Sequence, residues 1–489
     1  MVPVSLHEAE LSVRSRPIRC PVRIGGTELE RLDEIHLALE LRTADGRRAR
    51  GVAADVLAPA WFDPLLPTGS RALAAGARTA VDVAVASAQV PRPVYRIWRD
   101  SYEAAVALGG DRGMGPMAAG HGAALLERAL FDGLGRALDL PHHEILRRNL
   151  GGIDLGDVHP ELAGAAPADV LPRRPADRLQ VRHTVGPGDS LREADPFAGD
   201  VADPDAPEPL EASVRLQGLR HFRVELEGRA ESDGDRLERI AGVVACVEGL
   251  SVVLDGGEAF ADPADLHALL DRLESGPEAG RRLYSAIAWV EQPFPRAEAL
   301  GPALGREVAA LGARKPVFID ESNQTLGAFK RAAGLGYAGT TCRIGTGLTK
   351  ALANQALCSL WNGGGQGSGR PCRLSGAELL SLPVAGLHQH LAQMAALGVD
   401  PVECRGAWHG PGLAHLSPAE REACARSHGA LYEELAEDRA PLAIRRGHLD
   451  AASLNQAPGL GIGFPIDPSK WTALSDWKPE AAGEVLTHA

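Results

Sequence analysis

Short apolar runs recur through the middle of the chain, and three of them close on acids. Val252-Val253-Leu254 ends at Asp255, Ile287-Ala288-Trp289-Val290 at Glu291, and Val317-Phe318-Ile319 at Asp320-Glu321. The acids Asp255, Glu291 and Asp320 stand 36 and 29 residues apart, about one strand, one helix and their loops per step. Each run is too apolar for an edge strand. Strand patterns also cover Arg178–Val185, His221–Leu226, Leu250–Leu254, Ala286–Val290, Pro316–Ile319 and Gly339–Arg343, with helical patterns between them, and residues 374–406 supply the last units. This alternation predicts parallel strands joined by right-handed crossovers.

The first 150 residues read differently. Ile35 to Arg42 alternates with period two, Asp45-Gly46 is a hairpin turn signal, and Gly51 to Leu57 is the return strand. From Arg71 to Leu108 the pattern is helical and Ala-rich, interrupted by Pro91 and Pro93. Between Gly120 and Leu138, Leu125, Leu126, Ala129, Leu130, Leu134 and Leu138 recur at helical spacing. The expected organisation is an α+β unit over 1–150, a linker over 151–177, a β/α barrel over 178–437, and an irregular extension over 438–489 that packs on either unit. Residues 186–209 form a long Gly/Asp/Pro-rich loop, of the length seen in functional loops.

Composition narrows the function. The net charge of −13 argues against nonspecific nucleic-acid binding, which depends on neutralising phosphates. Seven scattered cysteines without a CxxC pair read as free thiols in a reducing compartment. Met1 to Glu8 lacks a basic stretch followed by an apolar core, and no run reaches bilayer-spanning length. The expectation is a cytoplasmic protein with no membrane partner and, by default, a symmetric homo-oligomer.

Three carboxylates at the carboxyl ends of successive parallel strands converge on one rim. Their mutual repulsion disfavours that arrangement unless a cation sits among them, and oxygen-only ligation favours Mg²⁺. Asp255, Glu291 and Asp320 are therefore the expected metal ligands, with Glu321 beside them as a group that orients metal water or a base.

Leu254-Asp255-Gly256-Gly257-Glu258, Trp289-Val290-Glu291-Gln292-Pro293-Phe294 and Ile319-Asp320-Glu321-Ser322 resemble the metal-binding strand ends of the enolase superfamily, in its mandelate racemase and muconate-lactonizing group. The similarity extends to Gly51–Asp55 and Leu125–Leu134, and covers roughly residues 20 to 430. It implies an α+β capping domain on a modified (β/α)₇β TIM-type barrel. It also implies Mg²⁺ at Asp255, Glu291 and Asp320, and removal of a proton α to a small carboxylate substrate through an enediolate. Dehydration, racemisation or epimerisation, and cycloisomerisation all fit. A cation on the carboxylate offsets the charge that develops as the proton leaves.

The chain departs from that family where its members carry catalytic lysines. The second barrel strand reads Phe222-Arg223-Val224-Glu225-Leu226, and Arg343 stands at the lysine position of the sixth. Arginine stays protonated, so Arg223 and Arg343 are poor bases and good carboxylate anchors. Glu225 is either a base raised by burial, a fourth acid at the metal, or an ion-pair partner of Arg223 or Arg343. His409 is either an acid–base group reaching the mouth or a loop histidine. His183 and Thr184, ending the first barrel strand, are candidate substrate contacts. Two functions follow: an enzyme of lyase or isomerase type, or a metal- and carboxylate-binding relative without turnover. Gly363 to Gly369 lacks the lysine and helix of a phosphate loop and reads as a flexible connection.

Overall fold

The computed structural model describes the whole chain except residues 25–26, 67–68, 196–207, 365–370, 411, 434–439, 468–470 and 480–489. Most of the Gly363–Gly369 segment, the middle of the 186–209 loop and the end of the extension therefore lie outside the described residues.

Pro3–Ile24, Thr27–Thr43 and Arg48–Val56 form an antiparallel meander. The expected turn joins the last two, with Gly46 at φ +95°, a left-handed conformation that costs glycine little. The first strand was not expected. It runs 22 residues and pairs along its length with the second, from Val4 opposite Thr43 to Ile24 opposite Thr27.

Three helices pack on this sheet and on one another: Ser70–Ser87, Val94–Gly110 and Pro116–Leu138. The break falls at the expected prolines, where Arg92–Pro93 pairs with the first strand. Helix Pro116–Leu138 lies unusually close to the sheet at Gly51, where an added Cβ would meet the Ala129 carbonyl at 2.0 Å and the Gly133 nitrogen at 2.7 Å. Asp132 on that helix accepts from the Val52 amide at 2.9 Å and, through its other oxygen, from the Leu460 amide at 2.8 Å. One carboxylate thus ties sheet, helix and carboxyl-terminal extension together.

Eight parallel strands close into a barrel: Arg178–Val185, His221–Glu225, Ser251–Asp255, Ile287–Glu291, Val317–Ile319, Gly339–Cys342, Arg373–Gly376 and Val402–Glu403. Closure is direct, with Val402 opposite Val181 and Glu403 opposite Arg182. Helices lie between successive strands, so the architecture is a TIM-type barrel with an amino-terminal α+β cap. The extension returns to both bodies. His448–Asp450 adds antiparallel to Arg178–Gln180, Thr472–Ala473 adds to the first strand of the cap, and Trp471 stacks on His36 at 3.8 Å. Among the described residues, no helix is long and apolar enough to cross a membrane.

Cap and barrel also share a helix terminus. Barrel helix Leu348–Asn362 starts after Gly347, which has no side chain to cap it. Buried Glu127 of the cap helix supplies the acceptors instead, taking the Leu348 amide at 2.7 Å and the Thr349 amide at 2.9 Å. Burial pushes the Glu127 carboxyl up from 4.5 to about 7, against the pull of those two donors. A folded-state pKa above the unfolded value contributes stability that is complete below pH 4.5 and lost as pH rises through about 7. In urea unfolding, wild type should therefore lose ground to Glu127→Gln as pH rises across that window, by up to ~1.4 kcal/mol per pH unit. Parallel stability curves for the two proteins would refute this account.

Candidate functional site

The barrel register sets the rim. Glu225, Asp255 and Glu291 stand directly opposite one another on the second, third and fourth strands. Asp320 follows the fifth strand. All three expected ligands are buried, at 5%, 0% and 2% exposure for Asp255, Glu291 and Asp320. Arg223 lies two residues before Glu225, on the same strand face, and its guanidinium reaches up into the row.

The carboxylates do not face an open centre. Arg223 Nη2 is 2.6 Å from Asp255 Oδ2, its Nε is 3.1 Å from Glu291 Oε1 and 3.4 Å from Glu403 Oε1, and its Nη1 is 3.4 Å from Glu225 Oε1. Asp255 Oδ1 accepts from the Gly257 amide at 3.1 Å, and Glu291 Oε2 accepts from Trp289 Nε1 at 3.4 Å. Arg343 grips both oxygens of Asp320, through Nε at 2.9 Å and through Nη2, while the Thr341 hydroxyl also donates to Oδ1. Among the described residues, no group of three His, Cys, Asp or Glu side chains is arranged to hold a metal ion. The three acids expected as metal ligands instead meet two guanidiniums here, Arg223 at Asp255 and Glu291 and Arg343 at Asp320.

The ion pairs continue down the barrel. Arg182 donates to Glu403 Oε1 from Nε at 3.1 Å and from Nη2 at 2.9 Å. Beneath them Trp289 stacks on Phe318 at 4.7 Å, with the Arg182 and Arg373 guanidiniums 5.4 and 5.6 Å from the indole. Arg405 holds Glu225 at both oxygens, at 2.6 and 3.4 Å. Burial works against the charge on Arg223, but Asp255, Glu403, Glu291 and Glu225 together hold it firmly protonated. Burial would also raise Asp320, yet Arg343 holds it below the usual carboxylate range. Asp255 and Glu291 go the other way, raised by burial and by the neighbouring acids against the pull of Arg223.

Above the lattice lies a cavity of about 510 Å³. The cap contributes Ile24, Trp61 and Pro64 to its lining. Trp61 Nε1 donates to Glu321 Oε1 at 3.1 Å, and its ring lies 4.9 Å from the Arg343 guanidinium. Arg296, paired at both oxygens with Glu258, donates to the Trp61 carbonyl at 2.8 Å and fixes that loop. Burial, with Asp320 and Asp255 nearby, raises Glu321 well above the usual carboxyl range. Its Oε2 is buried and has no hydrogen-bond partner among the described residues.

Of the candidates from sequence, Arg223, Glu225, Asp255, Glu321 and Arg343 line the cavity. Glu291 and Asp320 lie in the ionic layer just described. His183 packs edge-on against Trp408 at 4.9 Å, and burial lowers it to about 4. Thr184 and His409 are half-buried and, like His183, are not among the lining residues. Sequence reasoning missed Glu378, Glu403, Arg229 and Arg405, all of which line the cavity. Glu378 and Glu403 close the seventh and eighth barrel units as Asp255 and Glu291 close theirs, and that repetition was the available signal. Burial raises Glu378 to about 7, although the Ser381 and Gly406 amides donate to its two oxygens. A buried lysine, Lys350, also exists, lowered to about 7 by burial, but its Nζ donates to the Asn323 carbonyl and it is not among the lining residues.

No family model and no curated protein matches the chain. Solved structures do. A muconate lactonizing enzyme from Pseudomonas fluorescens, complexed with muconolactone, is 18% identical, with 95% of this chain and 97% of that one covered at a TM-score of 0.57. A dipeptide epimerase from Enterococcus faecalis V583, complexed with Mg and the dipeptide L-Leu-L-Tyr, is 12% identical, with 94% and 99% covered at 0.57. A 2-chloromuconate cycloisomerase from Rhodococcus opacus 1CP is 16% identical, with 95% and 98% covered at 0.55. At these identities the likeness shows the fold alone: the chain shares the cap-and-barrel fold of these three enzymes.

The buried pair Arg343–Asp320 gives a direct test of the lattice. Arg343→Met leaves Asp320 without its bidentate partner and should cost roughly 3–5 kcal/mol in urea unfolding. Adding Asp320→Asn to that variant should recover much of the loss, because no uncompensated charge then remains. A single variant as stable as wild type would show that the pair contributes no net stability.

Proposed function

We propose that the barrel mouth binds a small carboxylate and moves the proton on the carbon next to it, as an isomerase or lyase of the enolase type. The observation that carries this reading is the placing of Glu378 in one roofed cavity with Arg223 and Arg343. A general base works best when its pKa lies near the working pH, and Glu378 is held at about 7. The cavity volume falls within the ~300–1,000 Å³ typical of small-molecule sites.

Each residue has a separable task. A guanidinium carries five N–H bonds. Arg223 meets Glu291, Glu225 and Asp255 through its three nitrogens, and Arg343 meets Asp320 through two and the Glu378 carbonyl through Nη1, so five N–H bonds leave each terminal nitrogen a second hydrogen for a ligand carboxylate. Arg229, exposed at the rim, has no ion-pair partner among the described residues and offers a second anion contact. When the α-proton leaves, a second negative charge develops beside the first. Fixed, buried guanidiniums at the floor of the mouth stabilise that charge without reorganising. The proton passes to Glu378, which has lone pairs left beyond its two amide contacts. Return of that proton after the planar intermediate has turned its other face to Glu378 gives an epimer or racemate, and departure of a group with its bonding electron pair from the next carbon gives a lyase. Trp61 roofs the reaction and limits water.

A second reading, carboxylate binding without turnover, is favoured by one observation: Glu225, at the end of the second strand, is held by Arg405 at both oxygens. Solvent deuterium incorporation at the α-carbon, across a library of small carboxylic acids, separates the two. Exchange into one compound is expected, and Glu378→Gln should slow it by at least ~100-fold. An acid that binds the protein yet exchanges no deuterium would establish the second reading instead.

A further inference from the structure

The geometry points to Arg223 as the resident cation of this barrel mouth, a covalently attached guanidinium that replaces the divalent metal and holds Asp255 and Glu291 without one. Arg223 bridges these two carboxylates directly, at 2.6 and 3.1 Å, and Arg343 takes the third. Two guanidiniums supply the same positive charge as one divalent ion. They also occupy the donor atoms: both oxygens of Glu291 and Asp320 and one of Asp255 accept a hydrogen bond from a side chain or amide, and the other Asp255 oxygen is ion-paired to Arg223. A divalent cation entering here would have to break the strongest of those bonds and then sit within a few ångströms of a buried, permanently charged arginine. Like charges that close repel strongly in a poorly screened interior, and a divalent ion doubles the repulsion.

The substitution has a chemical consequence. A metal ion exchanges with solvent and offers open coordination positions, whereas a guanidinium offers N–H donors in a fixed plane. The ligand class that suits Arg223 is therefore a planar anion, a carboxylate above all, bound by hydrogen bonds. The inference concerns the site of the proposed function, and it holds whether or not that site turns anything over.

The test uses metal binding and thermal stability, with no activity readout. Wild-type protein stripped with EDTA should melt at the same temperature with and without millimolar Mg²⁺, and should leave the electron paramagnetic resonance signal of added Mn²⁺ undiminished. Arg223→Ala and the milder Arg223→Gln expose the carboxylates to one another. Either variant should bind Mn²⁺ at least ~100-fold more tightly than wild type, and Mg²⁺ should raise its melting temperature. A wild-type protein that binds one Mn²⁺, and loses it on Asp255→Asn, would overturn the inference. So would a folded Arg223 variant that gains no affinity for Mn²⁺. If neither variant folds, the wild-type titration decides alone. Because a metal-free wild type is equally compatible with turnover and with simple binding, failure here is distinct from failure of the deuterium exchange.

Discussion

Acids gathered at the carboxyl ends of parallel strands cannot stay ionised and buried together without positive charge between them. Everything at the centre of this molecule follows from how that requirement is met. Arg182, Arg223, Arg343 and Arg405 thread between Glu225, Asp255, Glu291, Asp320 and Glu403. The acids outnumber the arginines by one, which fits the upward displacement of Asp255 and Glu291: the lattice holds a proton more easily than isolated carboxylates do. Buried ion pairs of this kind are weak evidence for stability, because desolvation offsets the Coulombic gain. Their effect is on specificity of arrangement. Each guanidinium is planar and directional, so the lattice admits few alternative packings, and the Trp289–Phe318 stack beneath it gives Arg182 a flat floor.

The same arginines couple the two units. Arg343 grips Asp320 on the barrel and faces the Trp61 ring of the cap, while Trp61 donates to Glu321, the next residue along. Arg296 then fixes the Trp61 backbone. On another face, Glu127 of the cap caps a barrel helix that has no capping side chain of its own. The roof of the cavity is therefore held by hydrogen bonds with specific geometry, and the carboxyl-terminal extension, paired to both sheets, reinforces them. This is how a separate α+β unit comes to complete a site whose floor belongs wholly to the barrel.

Legibility in the sequence tracked how regular each pattern was. The middle barrel strands were clear because they are buried on both faces and read as unbroken apolar runs. The hairpin was clear because Asp45-Gly46 sits between two alternating segments. The 22-residue first strand was not, and the pairing shows why. Its buried apolar positions are even-numbered at Val4 and Leu6, odd at Leu11 and Val13, and even again at Val22 and Ile24. The register slips between Leu6 and Glu8 and between Pro17 and Val22, and each slip reverses the alternation on which a strand reading depends. Glu378 and Glu403 escaped notice for a related reason. The seventh and eighth strands are four and two residues long, too short to show a period.

The converging acids were legible, and so was the need for positive charge among them. Arginine's permanent charge was legible too, as a carboxylate anchor. What spacing could not show was the pairing: Arg223, two residues before Glu225 on the neighbouring strand, lies against Asp255 and Glu291, and Arg343 against Asp320. A fold shared at less than a fifth identity carries the scaffold, and the chemistry must be argued from the side chains that line it. Here those side chains pair fixed guanidiniums with a carboxyl poised near neutrality at Glu378. That combination supports the α-proton transfer proposed above, in which charge stabilisation and a matched base both come from residues of the chain itself.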